Sequence, residues 1–432
     1  MKALIVGNGA REHAIASRLP DCELYCIMSR KNPAMAALSR ESWICDIEDP
    51  AAVGKCIAGR SFDLGFASPD ASLAAGITDV LEKSGIPVAS PSRAAARVEW
   101  DKSFMRSLMA RHKIPGAPEN ALAKTPGEAL SLMRKLGQVA IKPVGLTGGK
   151  GVRVSGDHFT AEEDGLAYAK SLILKDGVAL MEEKLVGEEF TLQAFSDGTR
   201  IFVMPPVQDH KRAFEGEKGP NTGGMGSYSA GKNLPFLESS DLERASDILR
   251  AVIGALKKEG SPFRGILYGQ FMATASGPKV IEFNARFGDP EAMNVLSLLE
   301  SPLSGIFSAI AAGKLGSAKF SDDCTVVKYL VPQGYPENPL RDAEVRLDHS
   351  RLRESGASAY YASVYEKDGK IFTSSSRAFG ILGRAKSLDE AERIAESGCT
   401  ALSGPLWHRR DIGTSALIAA KVSRMRALRG EK

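Results

Sequence analysis

Within its first hundred residues the chain repeats one pattern, a short apolar, β-rich run followed by a helix-like stretch. The runs fall at 3–6, 24–28, 64–67 and 87–89, and the stretches between them include 11–19 and 72–83. Parallel strands cannot be joined by a tight turn and need a crossover, usually a helix, so this alternation predicts a doubly wound parallel sheet. One such unit accounts for only part of 432 residues. With 43% apolar composition the remainder can bury further cores, and the length predicts roughly two to four domains.

The pattern changes after residue 93. Val98, Phe104, Met105, Leu108 and Met109 recur at helical spacing, which predicts one helix over 93–112 crossing into a new domain and broken by Lys113-Ile114-Pro115-Gly116-Ala117-Pro118. A compact α/β unit follows, with helices at 127–136 and 161–174 and strands at 139–143, 152–155 and 178–182. Two hairpins are predicted next, 189–195 with 200–207 about Asp197-Gly198, and 265–274 with 279–284 about Ser276, separated by a helix at 241–258. The tail from 321 holds strands near 324–330 and 359–365, a turn at 367–370, a helix at 388–397 and a basic helix at 415–429. Lys421, Arg424, Arg426 and Arg429 on that last helix are expected to form a solvated face rather than a nucleic-acid contact.

Charge and cysteine content narrow the function. Lys+Arg number 56 and Asp+Glu 52, a net +4 too small to mark a polyanion-binding surface. Met1-Lys2-Ala3-Leu4-Ile5-Val6 is too short for a signal peptide and no window suits a membrane span, so a soluble cytoplasmic protein is expected. The six cysteines contain no CxxC pair and read as reduced thiols. Glycine, at 43 residues, exceeds the usual share of about 7%, and the excess points to places where backbone turns sharply or approaches a ligand.

Three glycine loops carry chemistry. Gly7-Asn8-Gly9-Ala10-Arg11-Glu12-His13 follows a strand and opens a helix, where bare N–H groups can meet an anion; Glu12 replaces the third glycine of the dinucleotide fingerprint, which disfavours a nicotinamide site. Lys142-Pro143-Val144-Gly145-Leu146-Thr147-Gly148-Gly149-Lys150-Gly151 pairs four glycines with two ammonium groups and suits a triphosphate, although it is not in Walker A register. Gly219-Pro220-Asn221-Thr222-Gly223-Gly224-Met225-Gly226, close behind Gln208-Asp209-His210-Lys211-Arg212, suits a small zwitterion or a phosphate.

The segment 280–286 alternates apolar and polar residues. Glu282, Asn284 and Arg286 are therefore expected on one face, with Ile281 and Phe283 toward the core. A turn about Ser276 brings Gln270 opposite Glu282, an oxygen set that suits Mg²⁺ sharing its shell with a phosphate. Asp289, Pro290 and Glu291 read as N-cap, first position and first turn of a helix. Arg286 has no such structural role and could stabilise a transferring phosphoryl group.

These motifs together resemble the glycinamide ribonucleotide synthetase family of the ATP-grasp superfamily, over nearly the whole chain. The glycine segments at 7–14 and 219–226, Gln208-Asp209-His210-Lys211-Arg212 and Arg286-Phe287-Gly288-Asp289-Pro290-Glu291 carry the resemblance. Tyr268-Gly269-Gln270-Phe271-Met272 and Glu291-Ala292-Met293-Asn294-Val295-Leu296 are similar to its archaeal branch. The resemblance implies a multidomain α/β and α+β chain: a Rossmann-like pre-ATP-grasp domain (1–100), an ATP-grasp domain (101–320, lid about 120–185) and a small α+β C-terminal domain (321–432). It implies an ATP-dependent carbon–nitrogen ligase of purine biosynthesis, a monomer acting on glycine and 5-phosphoribosylamine with ATP and Mg²⁺ or Mn²⁺, and binding neither nucleic acid nor membrane.

The same resemblance assigns residues. ATP phosphates fall to Lys102, Lys142 and Lys150, adenine to the strand Glu182, Glu183, Lys184 and Leu185, and ribose to Glu189. The metal falls to Gln270, Glu282 and Asn284, and phosphoryl transfer to Arg286 and Lys150. Substrate contacts are implied at Gly9, Arg11, Glu12, His13, Asp70, Asp209, His210, Lys211, Asn221, Thr222, Gly223, Gly224, Met225, Gly226, Arg286 and Asp289. Three departures stand out: Ser68-Pro69-Asp70-Ala71-Ser72-Leu73 where the family usually has Gly-Pro-Glu-x-Pro-Leu, Val144 for a usual aspartate, and Asp101 for a usual serine. An ATP-grasp ligase with another carboxylate and amine is the nearest alternative.

Overall fold

A computed structural model describes residues 1–147 and 151–430. The predicted parallel sheet is present. Strands Glu41–Ile44, Glu23–Met28, Lys2–Val6 and Leu64–Ala67 lie side by side in that order, all parallel. The run at 87–89 contributes only a bridge from Val88 to Gly65. Glu41–Ile44 escaped the sequence pattern because it is an edge strand whose residues are all exposed or half-buried. The helical stretch 72–83 is two helices, Asp70–Ala75 and Ile77–Lys83, divided at Gly76 in the left-handed region.

The single helix expected over 93–112 is also two, Arg93–Trp100 and Lys102–Arg111. Asp101 breaks it by leaving helical geometry and capping the second helix, accepting from the Phe104 N–H at 2.9 Å and the Ser103 hydroxyl at 2.6 Å. That cap sets Lys102 at a helix start facing the glycine loop.

Strands Asn120–Ala123, Ala179–Glu183, Val139–Lys142 and Arg153–Val154 form an antiparallel sheet with helices Pro126–Leu136 and Glu162–Asp176 packed on it around Met133, Ile141 and Met181. A second antiparallel sheet orders Ile201–Val203, Glu188–Asp197, Arg264–Thr274 and Gly277–Asn284. The Ser239–Lys258 helix presents Ile248, Leu249, Val252, Ile253 and Leu256 at helical spacing to this sheet, and all five are buried. Each contributes on the order of 1.5–3 kcal/mol of burial energy, which fixes the sheet that bears the oxygen-rich strand.

The third large sheet crosses the division expected near 320. Gln208–Asp209 and Gly226–Ser229 pair onward to Cys324–Pro332, Phe379–Ala385 and Ser358–Tyr361. Residues of the 208–226 motifs are thus built into the same sheet as the C-terminal region. The expected strand 359–365 divides into Ser358–Tyr361 here and Val364–Lys367 in a smaller sheet. The Ser415–Arg429 helix is not a purely solvated face. Lys421 and Arg424 grip the buried Glu188 at 3.0 and 3.2 Å, and Arg429 grips Asp241 at 2.5 Å. No helix among the described residues is long and apolar enough to cross a membrane.

Candidate active site

A cavity of about 290 Å³ opens where these parts meet. One wall is the Arg264–Thr274/Gly277–Asn284 hairpin. Its register pairs Gln270 with Glu282 and Tyr268 with Asn284, then slips by one residue between Gln270 and Phe271. The slip is a β-bulge, and it corrects the simple alternation: Val280 and Phe283 take the core, while Ile281 is half-buried. The carbonyls of Val280 and Ile281 accept from Arg106 at 3.0 and 2.9 Å.

Cations surround this wall. Lys102 donates to the Gly145 carbonyl at 3.1 Å, and its burial lowers its pKa. Arg286 pairs with Glu99 at 3.0 Å and donates to Asn284 Oδ1 at 2.9 Å; burial opposes its charge, but Glu99 and Asp70 outweigh that, so the guanidinium stays protonated. Glu99 is the structural partner that sequence reasoning did not supply for Arg286. Burial alone would raise the Glu282 carboxyl, yet Lys211, Lys102, Lys142 and Arg286 together hold it below the ordinary value.

The facing wall is made of loops. Asp209 ends a short strand, and its Oδ1 is buried with no hydrogen-bond partner among the described residues. Burial, then the neighbouring Glu291, push the Asp209 pKa well above the ordinary carboxylate range, and burial raises Glu291 as well. Tyr268 donates to Glu291 at 2.8 Å. Gly224, at φ +106°, closes the loop on Asp209; a Cβ there would stand 2.5 Å from Asp209 Oδ1 and 2.7 Å from Pro290. Asp289 is not an N-cap. The helix Glu291–Leu298 starts behind it, and its carboxylate is held by Tyr329 at 2.5 Å and Arg377 at 3.1 Å.

Arg11, Asp70, Lys102, Asp209, Lys211, Thr222, Gly223, Gln270, Glu282, Asn284, Arg286 and Asp289 all line this cavity. Glu189 adjoins it, accepting from Gln270 at 2.6 Å. Other expected residues are used elsewhere. Glu12 folds back to accept from the Gly9 N–H at 2.6 Å and from Arg11 and Ser68, so it organises the loop that presents Arg11. His13 accepts from the Tyr361 N–H at 3.0 Å, and burial lowers its pKa to about 4. His210 is buried against Glu217 at 2.7 Å, Met225 is in the core, and a Cβ at Gly226 would collide with the Val327 carbonyl. Asn221 lines a separate cleft of about 500 Å³ with Arg153, His158 and Arg212.

The expected nucleotide residues behave similarly. Lys142 sits 2.7 Å from Glu182, which also takes a bidentate pair from Arg106 at 2.5 and 3.1 Å. Burial opposes the Glu182 charge, but the two cations win and lower its pKa to about 2. Glu183 accepts from the Glu119 N–H at 2.9 Å, Lys184 donates to the Ser155 carbonyl at 2.7 Å, and Leu185 is half-buried two residues past the end of the strand. Lys150, with Gly148 and Gly149, lies outside the described residues. Arg377 and Arg106 had no signal in the sequence, since each gains its meaning only from partners distant along the chain. Tyr268 stood in a quoted motif without a role, and Glu291 was read only as a first-turn residue of a helix.

Gln270, Glu282 and Asn284 fit a hard divalent cation. The Gln270 side chain spends its N–H on Glu189 and leaves Oε1 buried and unpartnered among the described residues, opposite the Glu282 carboxylate. Carboxylate and amide oxygens are what Mg²⁺ or Mn²⁺ accepts. Asn284 Oδ1 would share itself between such an ion and Arg286.

Two four-stranded antiparallel sheets, the second carrying the oxygen-rich strand, form the ATP-grasp architecture. The family models agree. Those for the N domain, the ATP-grasp (A) domain and the C domain of phosphoribosylglycinamide synthetase match residues 1–99, 100–292 and 325–415. The chain is 48% identical over 438 residues to the phosphoribosylamine–glycine ligase of Methanosarcina barkeri, covering 100% of both chains. It is 46% identical over 436 residues to that of Methanothermobacter thermautotrophicus, covering 99% of this chain and 100% of the relative. The crystal structure of phosphoribosylamine–glycine ligase from Thermotoga maritima superposes with a TM-score of 0.82 at 25% identity, covering 95% of this chain and 100% of that one. The chain belongs to the phosphoribosylglycinamide synthetase family.

Proposed function

We propose that the chain ligates glycine to 5-phosphoribosylamine at the expense of ATP, giving glycinamide ribonucleotide, ADP and phosphate, as a step of purine biosynthesis. One observation carries this reading: one cavity sets an oxygen-rich strand with cations around it against a buried carboxylate pair, Asp209 and Glu291. The first side suits a metal-bound phosphate and the second an ammonium group. Family membership supports the choice of substrates.

Glycine's carboxylate is a poor electrophile. Its oxygen attacks the γ-phosphorus, the bond to ADP breaks, and glycyl phosphate forms; the amine of phosphoribosylamine then attacks the acyl carbon, loses a proton and expels phosphate. Both partners of the first step are anionic, so catalysis is charge neutralisation and alignment. We assign that work to Arg286 and, from the glycine loop, Lys150. Lys102 serves the ATP phosphates, and Lys142 must share its ammonium between them and Glu182. Residues 182–185, at and just past the end of the Ala179–Glu183 strand, and Glu189 are assigned to the nucleoside. A bound Mg²⁺ or Mn²⁺, held by Gln270, Glu282 and Asn284, supplies positive charge to the phosphate oxygens.

Arg11, Asp70, Asp209, Lys211, Thr222, Gly223, Arg286 and Asp289 form the substrate-facing set, which is narrower than the sequence implied. The closing part is the lid at about 120–185, between a first domain ending near 100 and a last one beginning near 320. The protein works as a cytoplasmic monomer on small molecules. The test is steady-state ADP release with glycine and phosphoribosylamine supplied separately and together. Turnover should require both, and a rate with both no higher than with ATP alone would overturn the proposal.

A further inference from the structure

Arg377 comes from the C-terminal region, immediately before the Phe379–Ala385 strand, yet it lines the cavity. Its backbone carbonyl accepts from the Ser363 N–H at 2.9 Å, which fixes where the side chain starts. One guanidinium nitrogen donates to the carbonyls of Gly223 at 2.6 Å, Gly224 at 2.9 Å and Asp289 at 3.2 Å. The other pairs with the Asp289 carboxylate at 3.1 Å. The group lies 4.3 Å from the centre of the Tyr329 ring, whose hydroxyl donates to the same carboxylate.

This arrangement joins two segments that no strand ladder connects, the 222–224 loop and the 288–291 turn. Arginine suits the task because its planar fork can serve several acceptors at fixed angles while its face rests on an aromatic ring. A lysine ammonium could keep the charge but not this geometry. Space is tight as well: a Cβ on Gly223 would stand 3.2 Å from the guanidinium carbon. Gly224 in turn closes on Asp209, so the clamp reaches the buried carboxylate through one glycine.

We propose that Arg377 is a positioning residue through which the C-terminal region sets the affinity for the non-nucleotide substrates. It acts on Asp209, Thr222 and Asp289 rather than on the reacting atoms. The ATP side hangs on the hairpin ladder and on Lys102, none of which Arg377 touches. The inference rests on the proposed function for its substrates but not for its geometry.

The test uses full-length Arg377→Lys and Arg377→Gln proteins. The KM values for glycine and phosphoribosylamine should rise at least about tenfold while that for ATP changes less than about twofold. Free guanidinium ion should partly restore Arg377→Gln and not Arg377→Lys, where the ammonium occupies the space. Amide exchange in 219–226 should accelerate in both variants, with exchange in the Gly277–Asn284 strand unchanged. Equal increases in all three KM values, or none, would overturn the role in substrate affinity; unchanged exchange in 219–226 would overturn the clamp itself. If the native protein shows no turnover with both substrates, the proposed function fails, and the exchange experiment still decides the clamp.

Discussion

The two walls of the cavity are held by different forces. On the strand wall, Gln270, Glu282 and Asn284 stand on neighbouring strands, and backbone hydrogen bonds fix their spacing whatever side chains they carry. On the loop wall, backbone bonds tie only part of the set: Asp209 pairs with Ser227 and the Thr222 N–H donates to the Lys211 carbonyl at 2.8 Å, whereas Asp289 comes from a segment with no ladder to either. Side chains and one steric condition bring Asp289 to that set: Arg377 and Tyr329 bind Asp289, and Gly224 must remain a glycine. The strand wall should therefore lose chemistry without losing shape when a side chain is removed, whereas the loop wall should lose both.

The largest effect is expected on the strand wall. Glu282→Gln should lower kcat on the order of 10³-fold, the scale of removing a preorganised electrostatic group, with little change in thermal stability. An unchanged rate at saturating Mg²⁺ would remove Glu282 from the metal set and break the comparison. Gly224→Ala tests the other wall. Its left-handed backbone and the 2.5 Å approach to Asp209 predict a loss of about 1–3 kcal/mol in stability together with weakened glycine affinity. A normal urea midpoint and KM would mean that this loop is not under steric control.

A third experiment addresses the buried cluster of Lys142, Glu182 and Arg106. Glu182 is buried, and its pKa of about 2 lies below the ordinary 4.5. A depressed carboxylate stabilises the fold fully above its unfolded pKa and loses that contribution as pH falls, here between about 4.5 and 2. The difference corresponds to roughly 3 kcal/mol. Lys142→Met removes one of the two cations responsible, so acid unfolding should begin at higher pH in the variant. Superimposable acid limbs would show that Arg106 alone sets the carboxyl. The smallest change is Arg424→Ala, which removes a mostly exposed partner of Glu188 and should cost less than about 1 kcal/mol by urea denaturation.

The same contrast explains what could be read in the sequence. A hairpin about Ser276 anticipated Gln270 opposite Glu282, yet the ladder at the turn pairs Thr274 with Gly277 and would set Gln270 against Ile281 without the bulge; the parallel sheet was legible from alternation alone. The bulge that turns the Ile281 carbonyl toward Arg106 was not, since it answers a side chain on the Lys102–Arg111 helix, far along the chain. Asp101 looked like an interior residue of one helix, and only its bond to the Phe104 N–H makes it a boundary. Asp289 had the form of an N-cap before a proline, but Tyr329 and Arg377, far along the chain, claim its carboxylate. His13 and His210 stood in specific motifs and suggested ligand contacts; burial against Tyr361 and Glu217 uses them in support of the site. Residues whose role follows from a backbone ladder are visible to pattern, and residues whose role follows from a distant partner are not.

In the proposed reaction glycine's carboxylate is phosphorylated in this cavity before the amine attacks. Glycine labelled with ¹⁸O in its carboxylate tests that most directly, with phosphate and glycinamide ribonucleotide analysed by mass spectrometry after turnover. One ¹⁸O per turnover should appear in the released phosphate. Label confined to the product amide and to unreacted glycine would contradict an acyl phosphate and with it the division of labour between the two walls.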